Sequence, residues 1–190
     1  MIAPERRRSV AVIGDSHVSA GSPKYELARE VGALLCERGF RIVTGGLGGI
    51  MEAASRGARE SAAWTPGTVV ALLPGFDPDR ANPYADVVIA TGLDHLRNSL
   101  VAQADAMVAI GGGAGTLTEI GLGWIYRRLI VALRVEGWSG KLADLRVDDR
   151  IRYEDIPQDR AFGADSAAEA VSLVSSWIGR YTRRHSRIPG

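Results

Sequence analysis

The stretch from Ala106 to Ile120, AMVAIGGGAGTLTEI, constrains this chain more than any other. Ala106 to Ile110 is apolar without a break and reads as a buried parallel strand, while Leu117 to about Ile125 reads as a helix. Between them, glycines let the backbone approach a ligand closely, and free N–H groups at a helix start point at it. The expectation is a phosphate held by Gly112, Gly113, Ala114, Gly115 and Thr116. Packing alone is the competing explanation, because Thr116-Leu117-Thr118-Glu119 also fits a capping box that would make Glu119 a helix cap.

The rest of the chain repeats the same unit. Val10 to Ile13 reads as a strand ending in Gly14-Asp15-Ser16-His17, and Tyr25 to Glu37 has helical spacing that Gly39 stops. Arg41 to Val43 is a strand that breaks at Thr44-Gly45-Gly46-Leu47-Gly48-Gly49, with a small-residue helix from Ile50 to Glu60. Thr68 to Leu73, Val87 to Ala90 and Leu129 to Leu133 are further strands, with a predicted helix over Leu93 to Gln103. A last strand is placed near Ile151 and a closing helix over Ser166 to Ile178. Apolar strands alternating with helices predict an α/β, Rossmann-like, doubly wound and mainly parallel sheet covered on both faces. Ligands in such sheets bind beyond the carboxyl ends of the strands, where all the glycine loops should open. Gly14, Asp15, Ser16, Gly45, Gly46 and Asn98 therefore join the expected nucleotide-binding set.

Several chemistries are excluded by what is missing. The dinucleotide pattern G-x-G-x-x-G fails, since its third glycine falls on Thr116 or Met51. Lys24 and Lys141 are the only lysines and follow no phosphate loop, which argues against NTP hydrolysis and pyridoxal phosphate alike. His17, His95 and His185 lack metal-ligand spacing, so no metal is expected. With 190 residues, 46% of them hydrophobic, the chain suits one domain spanning 1–190, with short basic tails at 1–8 and 180–190. A net charge of +1 gives no global case for nucleic acid. The apolar run after Arg6-Arg7-Arg8 is too short for a signal peptide, no stretch is long enough to span a membrane, and the single Cys36 suits the cytoplasm.

Arg97 stands near the start of the helix that leads into the glycine-loop strand, where a planar fork can grip phosphate or ribose oxygens. A solvated surface arginine is the plainer reading. Thr44-Gly45-Gly46 with Gly48-Gly49-Ile50-Met51, then Arg97, then Gly112 to Thr116 with Glu119, resembles the LOG family of LONELY GUY-type phosphoribohydrolases, often labelled lysine decarboxylases. That family sits in a Rossmann-like superfamily with DNA-processing protein A and molybdenum-cofactor carriers. The resemblance covers roughly Val10 to Leu133. It implies that Glu119 is the catalytic glutamate, Arg97 the catalytic arginine, and Gly112, Gly113, Gly115 and Thr116 the phosphate loop. Gly111 stands where the enzymes have proline and Asn98 where they have lysine, and the Arg-to-Glu stretch is one residue shorter. With Asn82-Pro83-Tyr84 and Thr91-Gly92, this looks more like an uncharacterised bacterial branch related to DNA-processing protein A.

The expected activity is therefore hydrolysis of a nucleoside 5′-monophosphate to free base and ribose 5-phosphate, with no cofactor required. Glu119 would face the ribose, and Arg97 would hold the ligand and keep Glu119 ionised. The alternative is a carrier or sensor of a nucleotide, phosphate or molybdenum cofactor, without chemistry. A third idea, DNA binding by the basic ends, runs against the small net charge. The resemblance also implies a homodimer. Trp124, Tyr126 and Trp138 are candidate walls for a base pocket, with plain apolar packing as the competing role.

Overall fold

Alternate residues of the first strand serve two different cores, and this settles the architecture. In the computed structural model, which describes residues 6–183, Val10 and Val12 of β1 (Ser9–Gly14) face one helical layer. Ala11 and Ile13 face the other. The first layer is α1 (Pro23–Glu37), α2 (Ile50–Glu60) and α6 (Ala167–Trp177). The second is α3 (Asn98–Val101), α4 (Ala114–Ile125) and α5 (Trp138–Leu142). Between them lie β2 (Arg41–Thr44), β3 (Val69–Leu73), β4 (Val87–Ala90), β5 (Ala106–Ile110), β6 (Leu129–Leu133) and β7 (Ala161–Ala164). All pairings among the described strands are parallel, in the order β4-β3-β2-β1-β5-β6-β7. This is the Rossmann-like α/β fold expected.

Strand order reverses at β1, which has β2 on one side and β5 on the other. The loops leaving β1 and β5 part in opposite directions and open a crevice between them. The two loops singled out in the sequence, after Ile13 and after Ile110, flank it.

Three sequence expectations are corrected. The helix placed over Leu93 to Gln103 is a 3-10 turn at Asp94–Arg97 followed by the four-residue α3. Gly92 and Asp94 donate their N–H groups to Gly75 and Pro74, and Asp94 has φ 48°, so the segment is tied to the exit of β3 before a helix can begin. The last strand is not near Ile151, which is exposed, but at Ala161–Ala164, hidden from propensity by small residues and Gly163. Helix α4 starts at Ala114 with Gly113 as its N-cap, three residues before the expected start. Thr116 therefore sits inside the first turn, and the capping-box reading of Glu119 fails.

The expected basic tails are partly built into the body. Arg6 makes a two-pronged contact with Asp105, and Arg7 donates to Gly39 O, Phe40 O and Thr68 Oγ1. Arg180 stacks on Trp177 and Arg183 pairs with Asp155, while residues 1–5 and 184–190, His185 and Arg187 included, lie outside the described part.

The α3–α5 layer is thin over β3 and β4. Register places Val87 beside Val70 and Ile89 beside Leu72 on this face, and both β4 residues are exposed. Leu96, Leu100 and Ile125 on the neighbouring segments are exposed as well. No described helix is long and apolar enough to cross a membrane.

Candidate functional site

The crevice holds a cleft of about 560 Å³ lined from four directions. The β1 loop supplies Gly14, Asp15, Ser16 and His17; the β2 loop and α2 supply Gly45, Leu47 and Met51. The 3-10 turn and α3 bring Asp94, His95, Arg97 and Asn98, and α4 brings Gly113, Gly115, Thr116 and Glu119. Ten of the thirteen residues expected from the sequence thus meet at one surface. Gly46, Gly112 and Ala114 do not line it; Gly46 and Gly112 are buried within their loops, and Ala114 is exposed at the start of α4. Gly112, at φ 96°, turns the chain into α4 where a side chain would collide with Thr116.

The N-terminus of α4 points into the cleft without any side-chain cap. Its first N–H groups have no partner within the helix, and together they carry the partial positive charge of the helix end. The loop that presents them is braced from outside. Ser139 Oγ accepts from Gly111 N at 2.7 Å and donates to Leu133 O at 2.7 Å, while Ser139 N donates to Gly111 O at 3.0 Å. Trp138 N donates to Gly112 O. This bracing segment carries no motif, and the sequence reading missed it.

The other loops are held in a similar way. Asp15 pairs with Lys24 at 2.9 Å, and its carbonyl accepts from Ile50 N at the start of α2. Asn82 donates through Nδ2 to Gly46 O and Leu47 O, so the Asn82-Pro83-Tyr84 feature acts as a strut for the β2 loop. Ser16 Oγ lies 2.8 Å from His17 Nδ1.

Arg97 and Glu119 face each other at 3.6 Å from Nη1 to Oε1, with side chains only 10% and 9% exposed. They form an ion pair without a hydrogen bond. Nε and Nη1 of Arg97 are buried and have no hydrogen-bond partner among the described residues. A buried guanidinium left open in this way costs stability unless a ligand completes it. Burial pushes the Glu119 carboxyl up to about 7, and the Arg97 charge pulls it down only in part. Burial likewise lowers Arg97, opposed by Glu119. The expectation that Arg97 keeps Glu119 ionised is thus corrected. Desolvation outweighs the single cation, and near neutral pH both forms of the carboxyl are present.

The aromatic candidates do not reach the cleft. Trp124 is core, donating to Asp148 and lying under the Arg152 guanidinium; Tyr126 pairs with Ser99; Trp138 stacks with Lys141. Apolar wall comes instead from Ile13, Leu47, Met51 and Pro74. Of these, Met51 was visible as part of the Gly48-Gly49-Ile50-Met51 motif, whereas Pro74 and His95 carried no signal of their own.

A family model described as the SLOG cluster4 family matches residues 7–162. The chain belongs to the SLOG cluster4 family. Among curated relatives, an uncharacterised protein of Archaeoglobus fulgidus is 42% identical over 99 residues, 52% of this chain and 62% of that protein. A cytokinin riboside 5′-monophosphate phosphoribohydrolase of Mycobacterium tuberculosis is 34% identical over 125 residues, 60% of this chain and 65% of that enzyme. The chain thus matches less than two thirds of the length of either. Of solved structures, the structural-genomics protein TM1055 has a TM-score of 0.75 at 30% identity, covering 89% of this chain and 99% of that one. The molybdenum cofactor binding protein of Rippkaea orientalis has a TM-score of 0.73 at 25% identity, covering 92% and 99%. DNA processing protein A of Helicobacter pylori, which binds single-stranded DNA, shares the fold at a TM-score of 0.61 and 16% identity, over 89% of this chain and 80% of its own.

Proposed function

We propose that this SLOG protein is a phosphoribohydrolase that cleaves the N-glycosidic bond of a nucleoside 5′-monophosphate. The observation that carries this reading is the buried Arg97–Glu119 pair, open on its guanidinium side, beside the uncapped N-terminus of α4. The 5′-phosphate rests on the N–H groups at Gly113 to Thr116, and the free donors of Arg97 complete its cage or hold the ribose. Glu119 then faces the sugar. Its carboxylate stabilises the oxocarbenium-like transition state and takes a proton from the attacking water, which bonds to C1′ as the bond to the base breaks. The departing base leaves with that proton. A carboxyl poised near 7 serves both steps at neutral pH, and neither step calls for a cofactor. The Mycobacterium tuberculosis relative supports this reading of the activity.

A second reading keeps the same site but no chemistry, namely a carrier of a nucleotide or molybdenum cofactor. Its support is the near-complete overlap with the Rippkaea orientalis protein. The two part on one experiment: incubation with AMP, GMP, CMP, UMP and an N6-substituted AMP, read by chromatography beside Glu119→Gln. Free base from the wild type alone is expected, with AMP binding retained in the variant. Ligand binding without any base released would transfer the site to the carrier reading.

We further propose that two copies pair through the apolar face formed by Val87, Ile89, Leu96, Leu100 and Ile125. Parallel sheets are ordinarily covered on both faces, and α4 has no charged residue apart from the buried Glu119. With Phe76 and Leu93 beside it, the exposed apolar surface is on the order of 600 Å², near the ~800 Å² each partner brings to a standard interface. A cytoplasmic setting suits the single buried thiol of Cys36.

A further inference from the structure

The end of the Arg97 guanidinium abuts the β2 loop at Gly45. A Cβ added at Gly45 would come within 2.6 Å of Arg97 Cζ and closer still to Nη1 and Nη2, with no other residue among its three nearest neighbours. Both terminal nitrogens lie nearer than Cζ, which means that the Nη1–Nη2 end of the fork abuts Gly45. The neighbouring glycine is different. Gly46 has φ 77° and is hemmed in by Leu73 and Ala71, so it serves the turn itself.

We propose that Gly45 is a positioning residue for Arg97, its bare Cα forming the seat that holds the guanidinium against Glu119. The atom nearest the seat, Nη1, is also the atom 3.6 Å from Glu119 Oε1 and one of the two without a hydrogen-bond partner. Among the described residues no hydrogen bond fixes Nη1 or Nε, so steric contact with the loop takes over that task. The first glycine motif then reaches the ligand through an arginine fifty residues away, rather than by backbone approach alone. The orientation of Arg97 towards a nucleotide phosphate rests on the function proposed above; the seat itself does not.

Gly45→Ala tests it in the full-length protein, alone and combined with Arg97→Ala. The backbone at Gly45 is not in the left-handed region and the crowded atoms end a flexible side chain, so the single variant should fold and shift only the guanidinium. The first readout is a carboxyl NMR titration of Glu119, identified as the resonance lost in Glu119→Gln. Gly45→Ala should raise the Glu119 midpoint towards the Arg97→Ala value and change nothing when Arg97 is already absent. Arg97 is the charge that acts on Glu119, and the other titratable groups of the cleft, Asp15, His17, Asp94 and His95, are the same in all variants. The second readout is AMP affinity, expected to fall about tenfold or more in Gly45→Ala, as for a lost charge-assisted contact, with no further loss in the double variant. An unchanged midpoint, or an equal shift without Arg97, overturns the seat. If AMP binds no variant and not the wild type, the nucleotide reading falls while the titration still decides the seat. Should Gly45→Ala fail to fold, the double variant, freed of the clash, must fold; its failure overturns the proposal too.

Discussion

Replacing Glu119 by glutamine should make the protein more stable at high pH while leaving it nearly unchanged at low pH. The carboxyl titrates at about 7 in the folded protein against an ordinary value of 4.5, and burial is the main cause. Below pH 4.5 it is protonated whether the chain is folded or not, so it adds no pH dependence. Between 4.5 and about 7 the unfolded chain releases the proton and the folded protein retains it. Stability therefore falls as pH rises through this window and stays lower above it. At about 1.4 kcal/mol for each tenfold in proton affinity, the full effect is about 3 kcal/mol at pH 8. Glutamine resembles the protonated form and cannot ionise, so it escapes this loss. Urea melts of both proteins at pH 4.5, 6 and 8 isolate the effect, because every other titrating group is common to both. The stability difference should open by about 3 kcal/mol across the series, or about 6–12 °C in Tm for a chain of this size. Parallel pH profiles for the two proteins would refute the reasoning, since Glu119 would then ionise in the fold as easily as in water.

Two further outcomes follow from the same geometry. Ser139→Ala leaves Gly111 N without its buried acceptor, while Leu133 O keeps Val135 N, and should cost about 1–3 kcal/mol in urea unfolding, with weaker AMP binding by calorimetry because the loop before α4 loosens. Ile89→Lys with Leu96→Glu places charges on the exposed apolar face and should convert a dimer to a monomer by sedimentation at micromolar concentration; a wild type that sediments as a monomer would remove the pairing proposal.

The sheet was legible wherever strands were unbroken apolar runs. Ala106 to Ile110 and Leu129 to Leu133 fall where pattern alone puts them, because a strand buried on both faces needs apolar residues at every position. Val87 to Ala90 is placed by the same pattern, although one of its faces is exposed. Legibility failed where neighbours overruled local preference. The stretch from Leu93 reads as a helix, yet the N–H groups of Gly92 and Asp94 are taken by Gly75 O and Pro74 O. Ala161 to Ala164 has little strand propensity, yet β6 offers it an edge and α6 covers it. Among site residues, the glycine loops, Arg97 and Glu119 could be found from type and order along the chain. Ser139, Pro74 and His95 could not, since one serine, proline or histidine in a loop resembles any other until the fold shows what it touches.

The sequence by itself determined that glycine turns follow buried strands, that such turns share one rim, and that Arg97 and Glu119 approach that rim. These depend on local chemistry and on the handedness of the crossovers linking parallel strands, which leave little freedom. Only the tertiary structure decided what the residues do to one another. The sign of the Glu119 shift is a contest between desolvation and one cation at 3.6 Å, and neither quantity exists before the chain closes around the pair. The same holds for Gly45 beneath Arg97, two residues far apart in the chain whose contact is made by packing alone.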